Sequence, residues 1–381
     1  MRTYKYKIQH QSNTIRLGNL IDDMHQVHEY FLNYQRQRYK DGLSYANYNA
    51  MSAHLTELKR TTHPHYNALP SQAIQMELRR IDAAYQRFFD WAKTRKGTKV
   101  GRPYIKPKHK FKSFTFPGKA GWEIENNRIT LTFRKWNTPH QRWSFDKVAF
   151  TFFKHRDWIG NIRRITIKRD NCGVYYLCLT TDASDTKYLP QTGQSVGCDF
   201  GMKDAFLTLS TGEKIQSPQF LKQDISKLRS LNKSLSRKQK GSSNWWRAVR
   251  VLTRFYRDLQ NRRTDWQWKL AHRLVSEFDT IAIEDLNIDA MKRLWGRKVS
   301  DLAFSAFVAR LAHKCIKHNR EFRTAGRWTA TSKPCSECGY RNENLSLSDR
   351  VWTCQSCDTT HDRDVNAAMN ILRLSVSSAP A

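Results

Sequence analysis

The chain has 381 residues and carries 66 Lys+Arg against 34 Asp+Glu, a formal net charge of +32. Such a length favours two or three domains, and such an excess of charge calls for a polyanionic partner, nucleic acid first. There is no apolar run of about 18 residues and no apolar core behind MRTYKYKIQH, so neither a membrane span nor a signal peptide is expected.

Residues 1–9 alternate, with Tyr4, Tyr6 and Ile8 on one face and Lys5 and Lys7 on the other, the signature of a strand. Leu20, Met24, Val27, Phe31 and Tyr34 recur at helical spacing and predict a helix over 19–40, ended by Gly42. A second helix is expected over 46–60. A third starts at Pro70-Ser71 and carries Ile74, Leu78, Ile81, Tyr85 and Phe88 on one face. Packing alone explains these apolar faces.

Residues 93–113 differ in kind. Lys96, Lys99, Arg102, Lys106, Lys108 and Lys110 stand among Gly97, Gly101, Pro103 and Pro107, which disfavour regular structure. Basic residues interleaved with Tyr104, Phe111 and Phe114 suit a segment that follows a phosphate backbone; the plainer alternative is a solvated linker.

From Phe114 to Thr181 the period becomes two, over FTFP, RITLTF, WSFDKVAFTFF, IRRITIKR and GVYYLCLTT. These predict an antiparallel β module that the strand at 1–9 joins, so that residues 1–183 are a β module with a helical insertion. TDASDTKYLPQTGQS follows as a linker.

VGCDFGMKDAFLTLSTGEKI then reads as a buried strand, a turn and a second strand, with Asp199 among apolar neighbours. A carboxylate there is costly unless it meets a metal or another cation; otherwise it is a turn aspartate. Gly197 and Gly201 leave room for close approach of a backbone or a phosphate.

Between Lys227 and Arg263 there are twelve Lys/Arg and one acid, Asp258. Two helices separated by GSSN form a basic hairpin, in which Arg229, Lys233, Arg237, Lys238, Arg247, Arg250 and Arg254 are candidate nucleic-acid contacts. A self-supporting charged surface hairpin is the alternative, but it would mix signs.

DTIAIED, residues 279–285, is a buried strand with Glu284 at its C-terminal end, where open α/β sheets place their sites. Alternation turns Asp285 to the other face. A helix at 302–318 and a strand at 321–325 lead on.

Cys335, Cys338, Cys354 and Cys357 have the C-x2-C-x15-C-x2-C spacing of a closed, structural zinc site. His361 is a spare ligand that four cysteines make unnecessary. Cys172, Cys178, Cys198 and Cys315 are scattered, read as free thiols, and suit a reducing compartment.

Asp364 opens the last helix, DVNAAMNILRL, in which Ala367 and Ala368 allow tight packing on a sheet and Asn366 could support a site from behind. Asp362 competes with it but reads as a cap. Asp199, Glu284 and Asp364, brought from separate elements to one sheet, can hold two Mg²⁺ or Mn²⁺ ions for phosphodiester hydrolysis.

GCDFGMKDAFLTLS, IAIEDLNI and CSECGY…WTCQSCDTTHDRDVNAAMNI, in that order, resemble TnpB, the RNA-guided endonuclease of insertion sequences, and its relatives the type V CRISPR effectors and Fanzor proteins. The resemblance is strongest over 196–373. It implies a multidomain α+β protein with a RuvC-like (RNase H-type) nuclease domain, whose catalytic positions match Asp199, Glu284 and Asp364, and whose inserted zinc ribbon matches the four cysteines.

The division it implies is 1–18, first strand of a wedge β-barrel; 19–113, helical recognition domain with basic linker; 114–183, remainder of the wedge. Residues 184–330 then hold the first two catalytic segments, 331–361 the zinc ribbon, 362–374 the third segment and 375–381 a tail. It also implies a guide RNA from the element's end, double-stranded target DNA next to a short adjacent motif, Mg²⁺-dependent cutting at a single site, and a cytoplasmic monomer carrying one RNA. Guide pairing would explain abundant positive charge without an evident base-reading module. A nuclease-inactive regulator would lack one of the acids, all of which are present. A DDE-type transposase would bring an end-binding domain, and no helix-turn-helix is evident at the N-terminus.

Overall fold

The chain is described from a computed structural model covering residues 1–11, 13–118, 120–137, 142–183, 188–202, 205–327, 329–346 and 348–377. Parts of several expected features therefore lie outside the described residues: 119 and 138–141 of the β module, 184–187 of the linker, 203–204 of the hairpin turn, 347 of the zinc ribbon and 378–381 of the tail. The chain forms two compact units, 1–184 and 185–381.

In the first unit, β1 (Arg2–Ile8) is followed by α1 (Thr14–Lys40), α2 (Tyr48–Arg60) and α3 (Ser71–Thr94), then by β2 (Ser113–Pro117), β3 (Trp122–Glu125), β4 (Arg128–Asn137), β5 (Arg142–Phe153), β6 (Ile162–Arg169) and β7 (Tyr175–Thr181). Among the described residues these strands make one antiparallel sheet in the order β2-β6-β7-β1-β5-β4-β3. β1 lies between β7 and β5, pairing Tyr4 with Leu179 and Lys7 with Phe153. Its alternation does what the sequence implies: Tyr4, Tyr6 and Ile8 are buried in a core shared with the helices, and Lys5 and Lys7 face outward.

Helix α1 begins five residues before the position that the apolar spacing suggests. Leu17 extends the buried stripe, and Gly18 does not break the helix. A Cβ on Gly18 would stand 2.8 Å from the Tyr175 hydroxyl, so the absent side chain lets α1 lie against β7.

The second unit contains β8 (Ser195–Phe200), β9 (Leu207–Leu209), β10 (Lys214–Ile215), α4 (Phe220–Gln223), α5 (Ile225–Ser236), α6 (Ser243–Glu277), β11 (Thr280–Glu284), α7 (Ile288–Leu302), α8 (Phe304–His318), β12 (Glu321–Ala325), β13 (Val351–Thr353), β14 (Thr360–Asp362), α9 (Arg363–Leu374) and β15 (Val376–Ser377). Its main sheet has the order β10-β9-β8-β11-β12-β15, with β8, β11 and β12 parallel and the rest antiparallel to their neighbours. Val196, Cys198, Ile281 and Ile283 point into a core with α6 and α8, where Phe206, Phe304 and Phe307 pack edge-on or stacked.

The helix expected over 302–318 is instead the second of two. Ala303, with φ 52°, takes the left-handed conformation that separates α7 from α8. α7 was not expected, although Ile288, Met291, Trp295, Val299 and Leu302 recur at helical spacing behind Asn287, which caps it.

Candidate nuclease centre and zinc knuckle

The opposite face of the sheet is built for one helix. Gly197 on β8 and Ala282 on β11 are in register, and their small size leaves a trough. α9 lies in it: a Cβ on Gly197 would collide with the Ala368 carbonyl, and Ala282 packs with Ile371. Gly197 and Ala368 thus meet each other, which is the close backbone approach that a glycine in a strand signals.

Two residues further along each strand the same face presents Asp199 and Glu284. The parallel register runs through Cys198 and Ile283, so the two acids are neighbours at the C-terminal ends of adjacent strands. Asp364, one turn before Ala368 on α9, faces the same end. The Asp199 carboxyl is pushed up to about 7 by burial, then by the charges of Glu284 and Asp364, against the pull of Arg363. Glu284 is also raised, by burial and by Asp285. Asp285 itself turns away and pairs with Arg327 at 3.0 Å.

Asp364 is the second residue of α9 and not its cap. The cap is Asp362, whose Oδ1 accepts from the backbone N–H groups of Asp364 and Val365 at 3.1 Å. Lys214 donates to the other oxygen of Asp362 at 2.6 Å. Burial works against this charge, but Lys214 and the helix N–H groups outweigh it and hold the carboxyl below its ordinary range. Asp364 lies near two guanidinium groups, Arg363 at 3.4 Å and Arg350 at 3.7 Å. Neither arginine was singled out by sequence.

The four cysteines converge. Their sulfurs all lie within 4.8 Å of one another, with Cys335 and Cys357 3.7 Å apart and Cys338 and Cys354 3.6 Å apart. Four thiolates at about 2.3 Å around a tetrahedral zinc are about 3.8 Å apart, so the donor set fits that ion. His361 Nε2 is 3.0 Å from Cys335 Sγ and its ring packs on Trp352, a supporting hydrogen bond in place of a ligand bond. Among the described residues this is the one cluster of metal-ligand type at that spacing; the three carboxylates are not drawn together so closely. Their oxygens are the hard donors that Mg²⁺ or Mn²⁺ prefers.

Asn366 does not support the carboxylates. Its side chain accepts from Ser336 N at 2.8 Å and donates to Pro334 O at 2.8 Å, and Asn370, one turn on, donates to Thr331 O and Pro334 O at 2.9 and 2.7 Å. The two buried amides tie the first cysteine loop to the helix that carries Asp364. Sequence reasoning missed Asn370, although D-x-N-A-A-x-N sets both asparagines on one face.

The expected nucleic-acid contacts divide into two groups. On α5, α6 and their connection, Arg229, Lys233, Arg237, Arg247, Arg250 and Arg254 are exposed and Lys238 is half-buried. In the first unit, Lys96, Lys99 and Lys110 are exposed, but Arg102 lies over the Tyr39 ring at 4.4 Å, Lys106 is half-buried and Lys108 pairs with Asp22 at 3.2 Å. The segment is therefore fastened to the helices along part of its length. Among the described residues no helix is long and apolar enough to cross a membrane.

A family model described as "Probable transposase" matches residues 177–294, and one described as "Cas12f1-like, TNB domain" matches residues 304–371. A "Putative RNA-guided DNA endonuclease" of Streptomyces pristinaespiralis is 33% identical over 87% of this chain and 78% of its own. The "Putative RNA-guided DNA endonuclease InsQ" of Escherichia coli (strain K12) is 26% identical over 89% and 83%. Among solved structures, a chain of the cryo-EM structure of a Cas12f1–sgRNA–target DNA complex shares the fold at a TM-score of 0.54 and 15% identity, covering 97% of this chain and 98% of that one. With a third of its residues shared along most of a relative's length, and with the two family models matching 177–294 and 304–371, the chain belongs to the TnpB family.

Proposed function

We propose that the chain is an RNA-guided DNA endonuclease that hydrolyses phosphodiester bonds at a single RuvC-like (RNase H-type) site formed by Asp199, Glu284 and Asp364. The observation that carries this reading is the register of β8 and β11, which sets Asp199 beside Glu284 under the N-terminus of α9. The sheet supports it: an antiparallel β10-β9-β8 half followed by parallel β11 and β12 is the layout expected of an RNase H-type core.

Two Mg²⁺ or Mn²⁺ ions, when bound, would supply activation of the attacking water and stabilisation of the leaving oxygen. The chain's own work is positioning. Asp199 and Glu284 are fixed by strands paired on both sides, and Asp364 is fixed by a helix pressed onto Gly197. Arg350 and Arg363 offset the mutual repulsion of the acids. The zinc knuckle braces the same helix through Asn366 and Asn370.

The guided character rests on the names of the curated relatives and on the exposed cations of α5 and α6, which suit a backbone held by charge while base pairing reads sequence. In this reading the β sheet of the first unit is the wedge and α1–α3, between β1 and β2, are the inserted recognition helices. The test is to express the chain with its native flanking DNA, purify it and sequence the RNA that accompanies it. One discrete RNA with a structured scaffold and a 3′ end running into flanking sequence is expected. Only heterogeneous host RNA would overturn guidance and bring forward an unguided nuclease or a transposase.

A further inference from the structure

Residues 100–106 cross α1 and α3 as a strap. Arg102 is stacked on Tyr39, and the Lys106 carbonyl lies 2.6 Å from His25 Nε2. Beneath the strap is a cavity of about 320 Å³, in the size range of small-ligand sites. Its floor is apolar, around Ile81 and Ala84 of α3; Arg80, Arg87, Arg102 and Lys106 contribute to its walls, and Tyr104 stands at its edge, 59% exposed.

No carboxylate is among the described lining residues. The nearby acid, Glu77, is buried and already shared between His28 Nδ1 at 2.7 Å and Arg80 at 3.1 Å. His28 also lines the cavity, and its buried Nε2 has no hydrogen-bond partner. Burial, and then the neighbouring Arg80, hold the Lys106 amine below its ordinary range. Arg80 is answered by Glu77, but among the described residues Arg87, Arg102 and Lys106 form no ion pair, which leaves a demand for negative charge around an apolar hollow.

We propose that this cavity is a nucleotide-binding pocket, taking one nucleotide turned out of a single strand, with its base on the apolar floor against Tyr104 and its phosphate between the arginines. An apolar floor alone would suit a lipid or a peptide side chain, and cations alone would suit any phosphate. Their combination with an exposed ring fits a base and a phosphate together. The inference rests on the nucleic-acid partnership proposed above and assigns one of its contact points.

The probe is a short single-stranded RNA carrying one 4-thiouridine, and in parallel a DNA carrying one 4-thiothymidine, bound to the full-length protein stripped of nucleic acid. Irradiation should cross-link the strap peptide that contains Tyr104, and the arm that gives the stronger adduct names the strand. Ala84→Trp, which fills the cavity, should weaken binding about tenfold, the loss of roughly one stacked base. Arg87→Gln, at an exposed position that does not threaten folding, should lower the slope of log affinity against log salt by about one.

Affinity within twofold of the parent for Arg87→Gln and for a folded Ala84→Trp, with no adduct between residues 100 and 106, would overturn the pocket. If a discrete RNA still accompanies the parent protein, that result leaves the guided reading intact. An adduct at Tyr104 in a protein that carries only heterogeneous RNA would keep the pocket and defeat guidance.

Discussion

The molecule holds two sets of side chains suited to metal ions, both tied to α9, and the folded chain treats them differently. The cysteine sulfurs stand at the mutual spacing a zinc ion would impose. The carboxylates share one end of one sheet but do not close to that spacing. Thiols can be neutral, so nothing forbids their approach. Carboxylates are costly to bury and repel one another, and burial first, then the charges of Glu284 and Asp364, push Asp199 up to about 7. One site is preassembled as a structural part, and the other stores electrostatic cost that a bound cation would relieve.

The sharpest way to break this comparison is Asp199→Asn. Cleavage should fall at least about 10³-fold, as expected when a ligand of catalytic ions is lost, while RNA retention is unchanged. Stability should move the other way. Asp199 has an ordinary value of 3.8 and a folded value of about 7. Between those values the folded chain holds a proton that the unfolded chain has released, so its contribution to stability declines as pH rises from about 4 to 7 and stays low above. At pH 8 without added Mg²⁺, Asn should therefore raise stability, on the order of 2–4 kcal/mol at most. A thermal melt that shows no gain would mean the carboxylate is not under electrostatic strain.

Serine at Cys335 and Cys354 tests the preassembled half. Zinc content should fall to zero, the knuckle should open to proteolysis near 331–361, and cleavage should drop about 10²-fold because Asp364 loses its brace. Undiminished cleavage by a zinc-free variant would separate the two metal sites altogether. Gly197→Ala attacks the seat of α9 directly. The new methyl would collide with the Ala368 carbonyl, so α9 must shift, at a cost of about 1–3 kcal/mol and about 10-fold to 10²-fold in cleavage. Zinc content should stay at one ion per chain, and its loss would show that the knuckle depends on the helix seat as well.

Much of this was legible in the sequence. The small residues announced a close approach, from Gly197 on one side and Ala367 and Ala368 on the other. The cysteine spacing announced the knuckle, and the alternation at 1–9 placed β1 in the first sheet. What was not legible depends on contacts between segments far apart in the chain. Asn366 and Asn370 have amides that serve a site or a loop equally well, and only the approach of Pro334 decides. Arg350 is one among 66 basic residues, and no local pattern marks it as a neighbour of Asp364; Arg363, which directly precedes Asp364, was open to the sequence and was passed over. α7 was within reach of its apolar spacing, but its boundary with α8 rests on a left-handed alanine, a conformation that sequence does not advertise.

Arg350 gives the smallest effect and the finest discrimination. It lies 3.7 Å from Asp364 and is substantially exposed, so Arg350→Ala should change stability by less than about 1 kcal/mol. In a cluster of acids that lacks its ions, however, a guanidinium competes with any incoming cation. Removing it should lower the Mg²⁺ concentration for half-maximal cleavage by about two- to threefold, with little change in the maximal rate, as expected for one partly screened charge. The opposite shift, a higher Mg²⁺ requirement with a lower maximal rate, would place Arg350 on the substrate phosphate instead. Arg363 alone would then offset the repulsion among the carboxylates.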